Sequence, residues 1–595
     1  MSETIYDITV VGSGHAGVEA TYIASQFKEL KVALISIAEV EMASAPCNPA
    51  IGGVGKGQVV REIDALGGLM GELADRAGIQ YRTLNESKGF AVQSTRVQID
   101  KITYSKEATK VISGISNVSI IKDKVVNIKK KNEIFEVETA DKKKFFSKKI
   151  IITTGTFLNG LMHTGTEKKQ GGRVGCDYSP GLMELFKEVK LNPQRFKTGT
   201  PPRLNKDTIN YKVMHEQESD PKTRNFHYRN FDSARIQTQT SCFLTHTNEN
   251  TLGIIRENKE KSPIFNGQIQ GVGPRYCPSI EDKAYRYLDR NRHHVFVEPE
   301  SFSLNTVYPN GISTSLPKEI QLDFLRTIEG FENVEILVPG YAVEYDVVDT
   351  TSLNITLESK DIAGLYFAGQ VNGTSGYEEA AGQGLIAGVN AALAVLNRDP
   401  LVLNRHESYI GVMVEDLISN KRDEPYRLFT SRSEDRLFLR EDNTYTRMAN
   451  YRKSLELNGE IDTFLTNHLL ELNILREVCQ KHPHILLSIK QAENPVLVLK
   501  EKCEKSGLIF SDIIIENVAI DIKYDGYIKK SEQLNSKVLN LENKQINWEK
   551  IVASKNVSFE CKLRIKGIRP ATFGQLKRIE GIRPATLAVV AGGML

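Results

Sequence analysis

Three glycines, Gly12, Gly14 and Gly17, stand in the run Asp7-Ile-Thr-Val-Val-Gly-Ser-Gly-His-Ala-Gly17, between an apolar stretch of strand character and the helical stretch Val18 to Gln26. At that spacing Gly12 permits a tight turn, Gly14 lets a pyrophosphate approach the backbone, and Gly17 lets the helix lie close on the strand. The helix N-terminus adds its partial positive charge to the same place. The loop Gly12, Ser13, Gly14, His15, Ala16 and Gly17 is therefore a candidate dinucleotide site. A second strand, Lys31 to Ser36, ends in Ser36 where the fingerprint usually carries an acid for the ribose hydroxyls. Ser36 can hydrogen-bond there, and Glu39 follows closely. A later segment, Gly364-Leu-Tyr-Phe-Ala-Gly-Gln370, continues through Gly373, Gly376, Gly382 and Gly384. It has the pattern of a strand ending in Ala-Gly and leading to a small-residue helix, which suits the far end of a flavin.

The elements that must position these loops follow from composition and periodicity. A chain of 595 residues with 40% apolar and 25% charged side chains is an ordinary globular sequence of several domains, neither disordered nor fibrous. Its net charge of +3 leaves any affinity for nucleic acid to local patches. Seven cysteines without a CxxC pair exclude a zinc ribbon or disulfide scaffold, and His293, His294, His482 and His484 lack accompanying ligands at metal spacing. An amino terminus without a basic run, and no apolar stretch of 18 residues, point to a cytoplasmic protein. Up to about residue 400 short β-branched runs alternate with helical patterns. This predicts an α/β, Rossmann-like two-dinucleotide fold with an inserted α/β domain, followed by an all-helical carboxy-terminal domain. The expected divisions are 1–200 and 331–400 for the two parts of the dinucleotide domain, 201–330 for the insertion, and 401–595 for the helical domain. Ile461 to Lys481 spaces its Leu and Ile as an amphipathic helix. Gly567-Ile-Arg-Pro-Ala-Thr572 recurs as Gly581-Ile-Arg-Pro-Ala-Thr586, which predicts two helix starts in series, each with its proline in the first turn and its glycine ending the helix before. Arg427, Arg432, Arg436 and Arg440 have a spacing that a helix would gather on one side, with Tyr426 and Phe429 available to stack on an unpaired base.

Longer blocks carry a resemblance. Asn48-Pro-Ala-Ile-Gly-Gly-Val-Gly-Lys-Gly57, Asp64-Ala-Leu-Gly-Gly68, Lys197-Thr-Gly-Thr-Pro-Pro-Arg203, Gly271-Val-Gly-Pro-Arg-Tyr-Cys-Pro-Ser-Ile-Glu-Asp-Lys283, Tyr308-Pro-Asn-Gly-Ile-Ser-Thr314 and Glu424-Pro-Tyr-Arg-Leu-Phe-Thr-Ser-Arg432 resemble, in order and nearly end to end, the bacterial tRNA-modifying flavoprotein family MnmG, also called GidA. The resemblance implies an FAD- and NADH-dependent enzyme that works as a homodimer with the GTPase MnmE. It also implies a product, a carboxymethylaminomethyl or aminomethyl group on carbon 5 of the wobble uridine of tRNA, with methylenetetrahydrofolate as one-carbon donor and glycine or ammonium as amine. Carried over by position, the flavin contacts are Gly12 to Gly17, Val125, Ser179 and Gln370. The nicotinamide-binding stretch is Gly271, Val272, Gly273, Pro274, Arg275, Tyr276, Pro278, Ser279, Ile280, Glu281, Asp282, Lys283, Ala284 and Tyr285, and the two cysteines needed for activity are Cys47 and Cys277.

The implied chemistry agrees with the residue types. Carbon 5 of uracil becomes nucleophilic once something adds at carbon 6, and a thiolate both adds and leaves readily. Cys47 precedes a loop rich in backbone donors, with Lys56 beyond it, and Cys277 follows Arg275; exposed N–H groups and a cation lower a thiol pKa. Two other readings stay open: a folate- and FAD-dependent tRNA uracil methyltransferase, and a flavin-binding RNA adaptor without catalysis.

Overall fold

The computed structural model describes residues 5–593 apart from 177–181, 183–184, 186–192, 232, 276–277, 420, 543 and 580. Its central sheet has five parallel strands in the order Val118–Lys122, Val32–Ser36, Ile5–Val11, Lys144–Ile152 and Leu365–Phe367. Val11 pairs with Ile35 on one side and Ile152 on the other, so three strands end level and their following loops share one edge. Ligands bind at that carboxyl edge in open α/β sheets. The strand Lys144–Ile152 begins five residues earlier than its β-branched run suggests, because its first half pairs antiparallel with Ile134–Thr139 of a hairpin that also contains Val125–Lys131. Ile8, Val10, Leu34, Ile150 and Ile152 are fully buried, as expected of parallel strands covered on both faces.

One face is covered by two helices in backbone contact, His15–Ser25 and Tyr377–Val395. A Cβ placed on Gly384 would lie 2.2 Å from the Ala16 carbonyl oxygen, and one on Gly388 would lie 2.6 Å from that of Ala20. The two glycines are four residues apart, hence on one face, and they set the closeness of the crossing.

The long excursion before the chain returns at Leu365 builds two antiparallel sheets. Six short strands in the order His215–Gln217, Cys242–His246, His294–Pro299, Thr306–Asn310, Arg203–Asn205 and Ile336–Val338 enclose a core that includes Leu204, Ile255, Val295 and Phe324. Glu167–Gln170, Leu161–Thr164, Tyr341–Val347 and Gln194–Thr200 form the connecting sheet. Beyond residue 400 the described chain is mostly helical, with an irregular stretch between the helices Tyr409–Ser419 and Thr444–Ser454. Glu460–Lys481 forms as its periodicity predicts, burying Leu465, Leu472, Leu475 and Cys479. This bundle shares one apolar cluster with the helical face of the main sheet, running from Ile8 to Ala519, whereas the last short helices have a cluster of their own from Ile546 to Val590.

The repeat near the carboxyl end does not fold as two equivalent helix starts. Pro584 opens the helix Pro584–Gly593 and Gly581 is left-handed at φ +81°, as expected. In the first copy Gly567 lies inside Phe559–Ile568, Arg569 takes the left-handed position instead, and Pro570 precedes Thr572, whose side chain caps Phe573–Arg578. Thr572 is the better cap, since its oxygen accepts from the N–H of Gln575. Among the described residues no helix is long and apolar enough to cross a membrane, and no three His, Cys, Asp or Glu gather as metal ligands.

Candidate functional site

The glycine loop sits at the level carboxyl edge, and each glycine has a distinct reason. Gly12 has φ +109°, and a Cβ on it would approach the Thr153 carbonyl oxygen to 2.6 Å; the Thr153 hydroxyl in turn donates to the carbonyls of Val11 (2.9 Å) and Gly12 (3.0 Å). A Cβ on Gly17 would lie 1.8 Å from the Gly12 carbonyl oxygen. Gly14 is the opposite case: extended, at the N-cap of His15–Ser25 with no side-chain cap, and with nothing within 4 Å of its missing Cβ. Two tightly closed glycines thus frame one that faces open space, beside first-turn N–H groups that have no intrahelical carbonyl to bond. This cradle fits the diphosphate of a dinucleotide. Ser36 points at the same loop, with its hydroxyl 2.6 Å from that of Ser13, so the position usually held by an acid keeps a polar group.

The other expected flavin contacts fall differently. Gln370 opens the short turn Gln370–Asn372, directly after Gly369 at φ +88°, whose Cβ would lie 2.9 Å from that of Ala16. The return segment is thereby pressed against the glycine loop. Val125 is buried at the first residue of its strand, two residues after Asp123, whose N–H donates to the Ser36 carbonyl at 2.9 Å. Ser179, Tyr276 and Cys277 lie outside the described residues.

Cys47 is half-buried in the loop between Ser36 and the helix Lys56–Ala65, and its N–H donates to the Tyr377 hydroxyl at 2.8 Å. The Tyr377 ring stacks on His15 of the glycine loop at 4.3 Å between centroids. Burial pushes the His15 imidazole down to about 3, so it is a neutral stacking partner at physiological pH. The expectation that Lys56 activates Cys47 is not met. Lys56 is buried and paired at 3.0 Å with both Glu378 and Glu379, so its charge is neutralised by two carboxylates. Two other cations reach the cysteine loop: Arg203, which donates to the Pro46 carbonyl, and Arg173, which donates to the Ser44 hydroxyl at 3.0 Å. Sequence reasoning did not single out Arg203 or Tyr377, although Arg203 ends one of the blocks that carry the resemblance.

The stretch from Gly271 to Tyr285 divides into two parts. Gly271 and Gln270 donate their N–H groups to Glu344 at 2.7 and 2.9 Å, Val272 pairs with Phe196, and Gly273 lies against Lys197. Pro274 follows, and Arg275 is exposed and pairs with Glu424 at 3.2 Å. Pro278 leads to Ser279, which caps the short helix Ile280–Arg286. Ile280 and Ala284 enter the insertion's core there, and Glu281 is buried, accepting from the Ser315 N–H and the Thr314 hydroxyl, both at 3.0 Å. Asp282 accepts from the Ser279 hydroxyl, Lys283 donates to the Gly311 carbonyl, and Tyr285 donates to that of Arg256. Side chains of the second part therefore serve the insertion, while the first part stays at its surface.

Glu344 anchors that first part. Hydrogen bonds from His163 and from the Gly271 and Gln270 N–H groups outweigh its burial and hold its carboxyl down to about 2. A depressed folded-state pKa stabilises the fold above the ordinary glutamate value and loses that contribution as pH falls toward the folded value. Glu344→Gln is therefore expected to lower the urea midpoint at pH 7, with the difference from wild type shrinking between pH 4.5 and 2. Hydrogen exchange at Gln270 and Gly271 should accelerate in the variant.

The arginine-rich segment is not a helix. Residues 421–440 hold only the single turn Thr430–Arg432, because Pro425 and buried Tyr426 and Leu428 tie the chain to the core. Tyr426 donates to Asp416 and is unavailable for base stacking, whereas Phe429 is half-buried. Arg440 is wholly buried between Asp442 and Asp521, which leaves Arg436 as the exposed member of the four.

A parallel sheet with a glycine turn at its edge, closed by a strand and helix that return after a long antiparallel insertion, defines a dinucleotide-binding α/β protein of the flavoprotein class, here with a helical extension. The chain belongs to the MnmG (GidA) family: the pattern of the family described as glucose inhibited division protein A matches residues 7–399. It is 45% identical over 546 residues to the tRNA uridine 5-carboxymethylaminomethyl modification enzyme MnmG of Campylobacter fetus subsp. fetus, covering 91% of this chain and 86% of the relative. The MnmG of a Sulfurihydrogenibium species is 42% identical, covering 96% and 94%. Among solved structures, Aquifex aeolicus GidA is 40% identical with a TM-score of 0.87, covering 99% of this chain and all of that one.

Proposed function

We propose that this enzyme, with FAD and NADH and together with the GTPase MnmE, places a carboxymethylaminomethyl or aminomethyl group on carbon 5 of the wobble uridine of tRNA in the cytoplasm. Methylenetetrahydrofolate gives the one-carbon unit, and glycine or ammonium the amine. The observation that carries this reading is the run of contacts from the Cys47 N–H through the Tyr377 hydroxyl and ring to His15, which supports a cysteine working near the dinucleotide cradle. Bound FAD supplies a ring that accepts electrons from NADH and carries a one-carbon unit. The chain's own groups do the rest. Gly12 to Gly17 hold the diphosphate, Ser36 the ribose, and Gln370 and Val125 border the cofactor; the surface stretch Gly271 to Arg275 receives the nicotinamide. The Cys47 thiolate adds to carbon 6 of a uracil turned out of the anticodon stack, which makes carbon 5 nucleophilic, and Cys277 is the second cysteine that the reaction needs. The divisions at about 200, 330 and 400 separate these tasks, and the helical region 401–595 of a homodimer takes tRNA and the GTPase.

Nucleoside analysis of wobble uridines in cells lacking the protein tests the reaction. Loss of the aminomethyl-type nucleoside, restored by wild type, supports it. Cys47→Ala and Cys277→Ala should each restore less than about 1% while melting at the wild-type temperature, since a nucleophile is worth several orders of magnitude in rate and little in stability. Loss of a 5-methyluridine instead would favour the methyltransferase reading. Bound flavin that NADH does not bleach would favour the adaptor.

A further inference from the structure

Arg203 enters the cysteine loop from the insertion and is held on every edge. One nitrogen donates to the Pro46 carbonyl, the peptide directly before Cys47. A second donates to the Thr200 hydroxyl and the Pro201 carbonyl, both at 2.7 Å, and Nε pairs with Glu300 at 3.0 Å. The guanidinium carbon lies 4.6 Å from the centroid of the Tyr308 ring, and the side chain is 11% exposed. Glu300 is fully buried and shared with Lys101 at 2.6 Å and with the Thr306 hydroxyl at 2.7 Å. A cleft of about 370 Å3 runs past this group, lined by Pro46, Lys101, Arg173, Arg203 and Tyr341.

Several groups act on the Cys47 sulfur. Its charge is felt by Arg203 and by the phenols of Tyr341, Tyr345 and Tyr377, all three kept neutral by burial. Lys56 is committed to Glu378 and Glu379, Glu300 pairs with both Arg203 and Lys101, and Arg173 lines the same cleft with its guanidinium on Ser44. We infer that Arg203 is the positioning residue for Cys47, fixing the preceding peptide at the cleft and favouring the thiolate form of the sulfur. A guanidinium keeps its charge at every working pH, so its field on the sulfur does not titrate away. Partial burial leaves that field less screened than at a surface. The bonds to Thr200, Pro201 and Glu300 stop the cation from turning toward solvent when the base arrives. The inference rests on the reading of Cys47 as the nucleophile, but concerns only what sets its ionisation.

The test is the pH dependence of Cys47 carbamidomethylation by iodoacetamide in the full-length protein as purified, followed on the Cys47 peptide by mass spectrometry. In wild type the half-maximal rate is expected below the ordinary cysteine value of about 8.5. In Arg203→Gln the midpoint should rise by about one pH unit or more, a tenfold change in the ionisation constant of the thiol. The midpoint decides and not the rate, because a higher thiol pKa also makes each thiolate more nucleophilic. Should Arg203→Gln fail to fold, Glu300→Gln decides: it unpairs the guanidinium and removes an opposing charge, and the midpoint should fall. A wild-type midpoint at or above about 8.5, or a midpoint unmoved by the substitution that folds, overturns the inference. Cys47→Ala separates this from the reaction itself. If that variant still modifies tRNA while the midpoint follows Arg203, the positioning role stands and the nucleophile role falls.

Discussion

Gly17→Ala should purify, if at all, as a destabilised protein without bound flavin, whereas Gly14→Ala should fold normally and bind flavin weakly. The two glycines are three residues apart in one loop, yet a methyl group meets opposite surroundings at each. At position 17 it would stand 1.8 Å from the Gly12 carbonyl oxygen and 2.8 Å from the Thr153 hydroxyl. Neither can retreat, since Gly12 is fixed at φ +109° against Thr153, and Thr153 bonds both Val11 and Gly12. The helix His15–Ser25 must then lift from the sheet, and its close contact with Gly384 and Gly388 lifts with it. Overpacking of this kind costs about 3 kcal/mol. At position 14 the methyl enters open space in an extended conformation open to any residue, so the fold loses at most about 1 kcal/mol from a poorer N-cap. The same methyl occupies room that a diphosphate needs to reach the first-turn N–H groups. Flavin fluorescence titration of the two variants, beside their melting curves, gives the result. If Gly14→Ala binds FAD as tightly as wild type, the cradle is not the diphosphate site.

The glycine loop was readable because its logic is local: strand, turn and helix lie within 20 residues, and each glycine answers to a neighbour in that unit. The return strand and its Ala-Gly ending were readable for the same reason. Groups whose partners lie far along the chain carried no such signal. Lys56 stands nine residues after Cys47, and proximity in sequence suggests an activating cation; the fold instead gives it to carboxylates 322 and 323 positions away. Arg203, which reaches the peptide before Cys47, comes from 157 residues off. Four arginines at helical spacing were misread because spacing records only where charges lie, while Pro425 and the burial of Tyr426 and Arg440 decide that the chain there is an irregular strap. The stretch from Gly271 to Tyr285 reads as one block, yet its second half contributes Ile280 and Ala284 to a core.

Lys56→Met should unfold the enzyme more easily by about 3–5 kcal/mol at pH 8, because it strands two carboxylates that are 3% and 0% exposed. Those carboxylates are not spare. Glu378 accepts from the Gly52 N–H at 2.7 Å and Glu379 from that of Leu428 at 3.1 Å, so the first turn of Tyr377–Val395 ties the cysteine loop to the arginine-rich strap through them. Beside wild-type Lys56 the pair is neutralised; the lysine pKa is raised by both glutamates, so the ion pair persists below the unfolded lysine value and is lost only above it, outside the working range. Adding Glu378→Gln and Glu379→Gln to Lys56→Met should restore most of the loss, since glutamine keeps an accepting oxygen for Gly52 and Leu428 without a charge to bury. Urea midpoints of the single and triple variants at pH 8 measure this. A triple variant no more stable than the single one would mean that the lysine acts by packing alone, and that the cysteine loop is held to the helix by Tyr377 without help from the ion pair.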